Sequence, residues 1–202
     1  MKLIKRLLWI SSIMAAVCIL IVGILWLYLP RVDFNKSATL NQAQAQLLKT
    51  AEAYLGTAEG SEAHHTIVDT YNAHEPLAQG YMVQYTDDWC ATFVSFCAIE
   101  SGLTDRIPTE CGCQRQIGLW QALDCWEETD SYLPQTGDII YYDWDIRTLG
   151  NSTGWSDHVG IIVGTHGPFI KVIEGNKDDS VSYRYIIQWD PRIRGYGIPD
   201  YQ

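Results

Sequence analysis

Apolar residues run unbroken at the start of this chain and then fall into two rhythms. From Leu7 to Leu29 no charged residue occurs, a stretch long enough to cross a bilayer core as one helix. Lys2, Lys5 and Arg6 precede it, and Pro30 and Arg31 follow. A cleaved signal peptide has a shorter apolar core and a small-x-small site after it, which Leu29, Pro30, Arg31 and Val32 do not supply. The pattern predicts an uncleaved signal anchor, transmembrane at about 7–29, with its basic end in the cytoplasm and the rest outside the cell. Cys18 lies inside the run behind Ala15, Ala16 and Val17, which fit a lipobox poorly, so no lipid is expected there.

The next rhythm is helical. Residues Ala38 to Leu55 are rich in Ala, Gln and Leu, begin after a possible cap at Ser37 and stop at Gly56. Ser61 to Ala73 places Ile67, Val68 and Tyr71 on one face and carries His64 and His65, with His74 just beyond. Adjacent histidines on a helix point apart, so surface or core roles are expected rather than a metal site. A third helix runs from about Asp88 to Gly102 with Cys90, Phe93, Val94, Cys97 and Ala98 as its apolar face, and a fourth from Cys113 to Trp126.

Past Pro134 the pattern changes to β-branched and aromatic runs at Asp138–Trp144, His158–Gly164, Phe169–Glu174 and Val181–Ile187, separated by Gly, Asn, Asp and Pro. Helices followed by a meander of strands predict an α+β domain. The expected division is an anchor and linker over 1–36 and one domain over 37–202, N-terminal helices packed on an antiparallel sheet.

The net charge of −10, with much of the basic charge spent at the anchor, argues against nucleic acid or another anionic polymer as a tightly held partner. Beyond Cys18 the cysteines are Cys90, Cys97, Cys111, Cys113 and Cys125. An odd count outside the cell suggests up to two disulfides and one working thiol. Cys111 and Cys113 have no second ligand pair at zinc spacing, so they read as disulfide partners or buried thiols.

Cys90 falls in the first turn of a helix, where backbone N–H groups and the helix dipole favour a thiolate. Asp87 and Asp88 work against that unless they turn away, cap the helix or hold a cation. A basic partner is offered by the hairpin His158–Val163, Gly164–Pro168, Phe169–Glu174. With a regular turn centred on His166, Val163 faces Phe169, Ile162 faces Ile170 and His158 faces Glu174. Directly opposed side chains start about 4.5–5.5 Å apart, so Glu174 can take one ring nitrogen and leave the other for the thiol. Asn176 follows on the same face. A one-residue bulge at Gly167 would turn His158 and Glu174 away from each other.

Three stretches, taken together and in order, resemble the CHAP domains (cysteine- and histidine-dependent amidohydrolase/peptidase), relatives of NlpC-type cell-wall peptidases and of papain. They are Asp88-Trp89-Cys90-Ala91-Thr92-Phe93-Val94-Ser95, Gly137-Asp138-Ile139-Ile140-Tyr141-Tyr142-Asp143-Trp144, and Asp157-His158-Val159-Gly160-Ile161-Ile162 with Ile173-Glu174-Gly175-Asn176. The resemblance spans roughly Thr50 to Ile187 and implies a papain-like fold. It also implies Cys90 as nucleophile, His158 as general base and acid, Glu174 as the group orienting the imidazole and Asn176 as a further polar member.

Thiolate attack on an amide carbonyl would form a thioester that water hydrolyses, with the Cys90 N–H as oxyanion donor and Gln84 or Tyr85 as a second. Some CHAP domains bind calcium just before the nucleophile, which makes Asp87 and Asp88 the metal candidates. Trp89, Trp144 and Trp155 are candidate substrate-binding aromatics; Trp120 and Trp126 read as core. The implied function is a bacterial peptidoglycan hydrolase, an N-acetylmuramoyl-L-alanine amidase or a peptide endopeptidase, held at the cell membrane by one span with its catalytic domain extracellular. An acyl or peptidyl transferase would use the same thioester, and a catalytically silent wall-binding scaffold would need no cysteine at all.

Overall fold

In a computed structural model the described residues are 2–34, 40–144 and 154–202. They fall into two units, Met1–Asp33 and Phe34–Gln202. The first is helix α1, Lys2–Tyr28, followed by a short 3-10 turn. It contains a span, Ile13–Arg31, long and apolar enough by length and composition to cross a membrane.

The second unit opens with α2, Gln42–Ala53, later than expected. Ser37 lies outside the described residues. The helix starts where Asn41 and Gln44 cap each other's backbone N–H groups, a capping box that satisfies two donors at once. Helix α3, Glu62–Asn72, is capped by Ser61, and α4, Cys90–Glu100, follows. Every residue of α4 from Cys90 to Ala98 is buried, so it is a central helix rather than one with a single apolar face. Helix α5, Cys113–Ala122, ends four residues short of Trp126. Asp124 takes a left-handed φ of 54° that breaks the helix, and Trp126–Glu127 become strand β1 instead.

Strands β2 (Ile139–Tyr142), β3 (His158–His166), β4 (Phe169–Glu174), β5 (Ser182–Ile187) and β6 (Ile193–Gly197) complete an antiparallel sheet ordered β1-β6-β2-β3-β4-β5. The domain is α+β, helices first and sheet after. Alternation along the strands gives each face its own packing: Ile139, Tyr141, Val159, Ile161 and Ile173 join the helices, while Ile140, Tyr142, Ile162, Val172 and Ile186 form a second cluster. Strand β6 was not expected from the sequence. Its Gly195 and Gly197 weaken the strand signal, and they are there because Trp126 and Trp120 press against the backbone. A Cβ at Gly197 would sit 2.5 Å from Trp120 Nε1.

The β3–β4 hairpin departs from the expected register in two ways. Its turn is the two residues Gly167 and Pro168, with Gly167 at φ 54° and Pro168 next, as a type II′ turn requires. His166 therefore pairs with Phe169, Thr165 with Ile170 and Gly164 with Lys171. A bulge at Val163 then drops one residue, so that Ile162 pairs with Val172 and Ile161 with Ile173. The tight turn alone would put His158 and Glu174 on opposite faces; the bulge restores them to one face, with Gly160 rather than His158 across from Glu174.

Candidate active site

Cys90 is the first residue of α4, and Trp89 caps that helix with no side-chain hydrogen bond. The first-turn N–H groups are thus left for an anion. Gly175 allows this end of α4 to lie against the end of β4: a Cβ there would meet Trp89 Cε3 at 3.0 Å and collide with Phe93. Cys90 is 5% exposed and His158 is 8% exposed, so both are reached only from one side.

His158 Nε2 lies 3.0 Å from Glu174 Oε2, which leaves Nδ1 uncommitted, and the imidazole and the Cys90 thiol shift each other's charge state. Glu174 is fully buried. Its side chain passes over Gly160, where a Cβ would stand 2.6 Å from Glu174 Cγ and 2.6 Å from Val172 Cγ1. The glycine of the Asp-His-Val-Gly stretch is the space through which Glu174 reaches diagonally to His158.

Two residues that sequence reasoning missed complete the group. Arg184 on β5 donates from Nε to both Glu174 oxygens, at 2.7 and 2.9 Å, and its guanidinium lies 4.6 Å from the centre of the Trp144 ring. An arginine between Tyr183 and Tyr185 reads as solvent-facing, and only the strand order brings it beside Glu174. Cys113, first residue of α5, has its Sγ 3.5 Å from that of Cys90. Every cysteine is a free thiol, so the expected disulfides do not form and Cys113 sits beside Cys90 as a second thiol.

These contacts set the charge state. The Cys113 thiol, the His158 imidazolium and the Ala91 N–H together outweigh burial and lower the Cys90 pKa to about 5. Cys113 goes the other way, raised by Cys90 and by its own burial, so it is the hydrogen donor of the pair. Burial works to lower the His158 value, but Cys90 and Glu174 overcome it and raise it to about 10. Burial pushes Glu174 up, and His158 and Arg184 more than reverse this. The directions of these shifts favour a thiolate on Cys90, an imidazolium on His158 and a carboxylate behind it.

The other sequence candidates have partners of their own. Asn176, at φ 55°, donates from its side chain to Asp88 Oδ1 at 3.0 Å and makes no hydrogen bond to the imidazole. It ties the end of β4 to the approach of α4. The Gln84 amide donates to Met82 O at 2.8 Å, and the Tyr85 hydroxyl donates to Asp69 Oδ1 at 2.8 Å while its ring stacks on His65; neither bond serves an oxyanion at Cys90. Trp89 is fully buried and donates to Glu59, so it is core, as is Trp120. Trp144 stacks on Tyr142 and lies 6.2 Å from the His158 ring, whereas Trp155 is 73% exposed. The two flank 145–153, outside the described residues.

Asp87 accepts from Tyr81 and from the Gln84 N–H, Asp88 accepts from Asn176, and among the described residues no three His, Cys, Asp or Glu side chains group as metal ligands. The acidic pair does not fit a calcium site, which needs six to eight oxygens. His64 is buried against Trp89, its Nδ1 accepting from Gly60 N–H at 3.0 Å. Asp138 accepts from Tyr132 and from Gln135 N–H and is structural.

A low-pKa cysteine on a helix N-terminus thus stands beside a histidine and a carboxylate from an adjoining antiparallel sheet. The family model of the CHAP domain matches residues 80–176, from just before Cys90 to Asn176. Among solved structures, similarity is found to Ly7917 (15% identity, TM-score 0.42, 77% of this chain and 62% of that one), also crystallised with the hydrolyzing product of MDP. It is found as well to a protein from Staphylococcus aureus subsp. aureus Mu50 described as similar to lipoprotein, NLP/P60 family (14% identity, TM-score 0.45, 85% of this chain and 46% of that one). This chain therefore spans less than two thirds of either. No curated protein matches it.

Proposed function

We propose that this protein is a membrane-anchored, outward-facing cysteine hydrolase that cleaves amide bonds of bacterial peptidoglycan through a thioester on Cys90. The observation that carries the reading is the buried set Cys90, His158 and Glu174, in which Glu174 holds the imidazole at 3.0 Å and the imidazole and the thiol shift each other's charge state. A scaffold domain would have no use for a buried thiolate, whose ionic partners are costly to keep out of water.

The chemistry follows from the contacts. The Cys90 thiolate attacks the carbonyl carbon, and the backbone N–H of Cys90 at the uncapped start of α4 takes the oxyanion. His158 gives its Nδ1 proton to the leaving amine, so the amine departs and a thioester remains. The neutral imidazole, held through Nε2–H by Glu174, then takes a proton from water, whose hydroxide displaces the thiolate and releases a carboxylic acid. Trp155, largely exposed and three residues before His158 in sequence, offers a flat apolar face to a glycan or stem peptide, while the Trp144 ring is covered by Tyr142, Arg184 and Arg192. The apolar α1 would hold the domain at the membrane and confine cleavage to the cell's own wall.

The test is mass spectrometry of fragments released from purified peptidoglycan by the full chain in detergent, with Cys90→Ala as control. New N-terminal L-alanine on glycan-free stem peptides marks an amidase, and cut stems or cross-bridges mark an endopeptidase. Absence of any Cys90-dependent product across several wall types overturns the reading.

A further inference from the structure

Glu174 faces a partner whose charge is not constant. In the reaction above, His158 is an imidazolium at rest and neutral once the leaving amine has taken its proton, and it is charged again as water attacks. A carboxylate with no exposed surface cannot stay ionised on a partner that is cationic only part of the time. The other groups facing it are the Tyr142 ring on β2, also buried, and Arg184 on β5. Only Arg184 carries a charge that does not titrate in this range.

Its placement suits that task. Nε donates to both carboxylate oxygens, so Glu174 Oε2 is shared between Arg184 and His158 Nε2. The guanidinium is a quarter exposed and backed by Trp144, with Arg192 on the same ring and paired to Asp190, so solvent does not pull Arg184 off the carboxylate. Asp178 and Asp190 are the other acidic groups that feel it.

We infer that Arg184 is a positioning residue for the reaction: its fixed charge holds Glu174 as a carboxylate throughout the cycle, which keeps the imidazole proton on Nε2 and the Nδ1 lone pair toward Cys90 and the attacking water. The inference rests on the proposed hydrolytic role of Cys90, but its first readout needs no substrate. The step it protects most is hydrolysis of the thioester, when His158 is neutral and lends Glu174 no charge.

The experiment measures iodoacetamide alkylation of Cys90 against pH in the full detergent-solubilised chain, read on the Cys90 peptide because other thiols are present. Arg184→Met is expected to move the thiolate titration upward by about one pH unit or more, and Arg184→Lys to restore much of it. With peptidoglycan, Arg184→Met should slow turnover about 10-fold or more and leave a larger fraction of Cys90 as thioester. In a Glu174→Gln background, adding Arg184→Met should change the titration no further, because the two act as one unit. That double variant leaves no lone buried charge and covers the case in which Arg184→Met alone fails to fold. A merely structural arginine would lower thermal stability and leave the titration in place. An unshifted midpoint in Arg184→Met, or its full effect repeated in the Glu174→Gln background, overturns the inference. If peptidoglycan is not the substrate, the turnover arm fails while the titration arm still reports.

Discussion

Replacing Gly160 by alanine separates geometry from chemistry, because the added methyl touches no reacting atom. Gly160 lies inside β3 without the positive φ that would make any side chain strained, so the effect is one of space alone. The new Cβ would stand 2.6 Å from both Glu174 Cγ and Val172 Cγ1 and 3.0 Å from Ile173 O. Carbon atoms rest at about 3.5–4.0 Å, so Glu174 must withdraw by about 1 Å, on a side chain with no exposed surface into which to move. Overpacking of this kind costs about 1–3 kcal/mol, a fall of roughly 2–10 °C in Tm for a domain of this size. A shift of about 1 Å in a group that orients a general base can cost about 100-fold in rate. The assay is turnover on peptidoglycan beside thermal unfolding and Cys90 alkylation. Gly160→Ala should fold, lose about 10- to 100-fold in rate and show an upward-shifted thiolate titration. Wild-type turnover and titration in Gly160→Ala would refute the claim that Glu174 reaches His158 across this glycine.

The pH dependence follows from the two shifted groups. The Cys90 pKa is depressed, so its thiolate is lost as pH falls through about 5; that of His158 is raised, so the imidazolium is lost as pH rises through about 10. Turnover should hold a plateau between those limits and decline outside them, and an acidic limb centred near the ordinary thiol value would contradict the ion pair. Cys113→Ala removes the thiol that donates to Cys90 at 3.5 Å, and alkylation should then show the Cys90 titration moved upward with the fold retained. An unchanged titration would show that His158 and the helix N-terminus suffice.

The placement of Cys90 was legible because its signals are local: an apolar run at helical spacing, beginning at a cysteine, becomes α4 with Cys90 first. His158 and Glu174 were also paired correctly, yet by a register that the hairpin does not use. The tight Gly167–Pro168 turn and the bulge at Val163 offset one another in parity, and neither change can be weighed from a single chain of β-branched residues. Arg184 and Cys113 were out of reach for a different reason. Each reaches the site from an element distant in sequence, and neither residue type carries a spacing that points to its partner. Asn176, expected as a further polar member of the site, has a partner that the sequence could not name: its side chain braces Asp88 at the approach to α4.

Hydrolysis by way of a thioester requires an acyl bond formed at Cys90. The most direct measurement is acid quenching of the full chain during turnover on peptidoglycan, followed by mass mapping of the Cys90 peptide. A substrate-derived acyl mass on Cys90 that hydroxylamine removes and Cys90→Ala lacks is the predicted result. Fragments released at the wild-type rate by Cys90→Ala, or released by the wild type with Cys90 never modified, would contradict it.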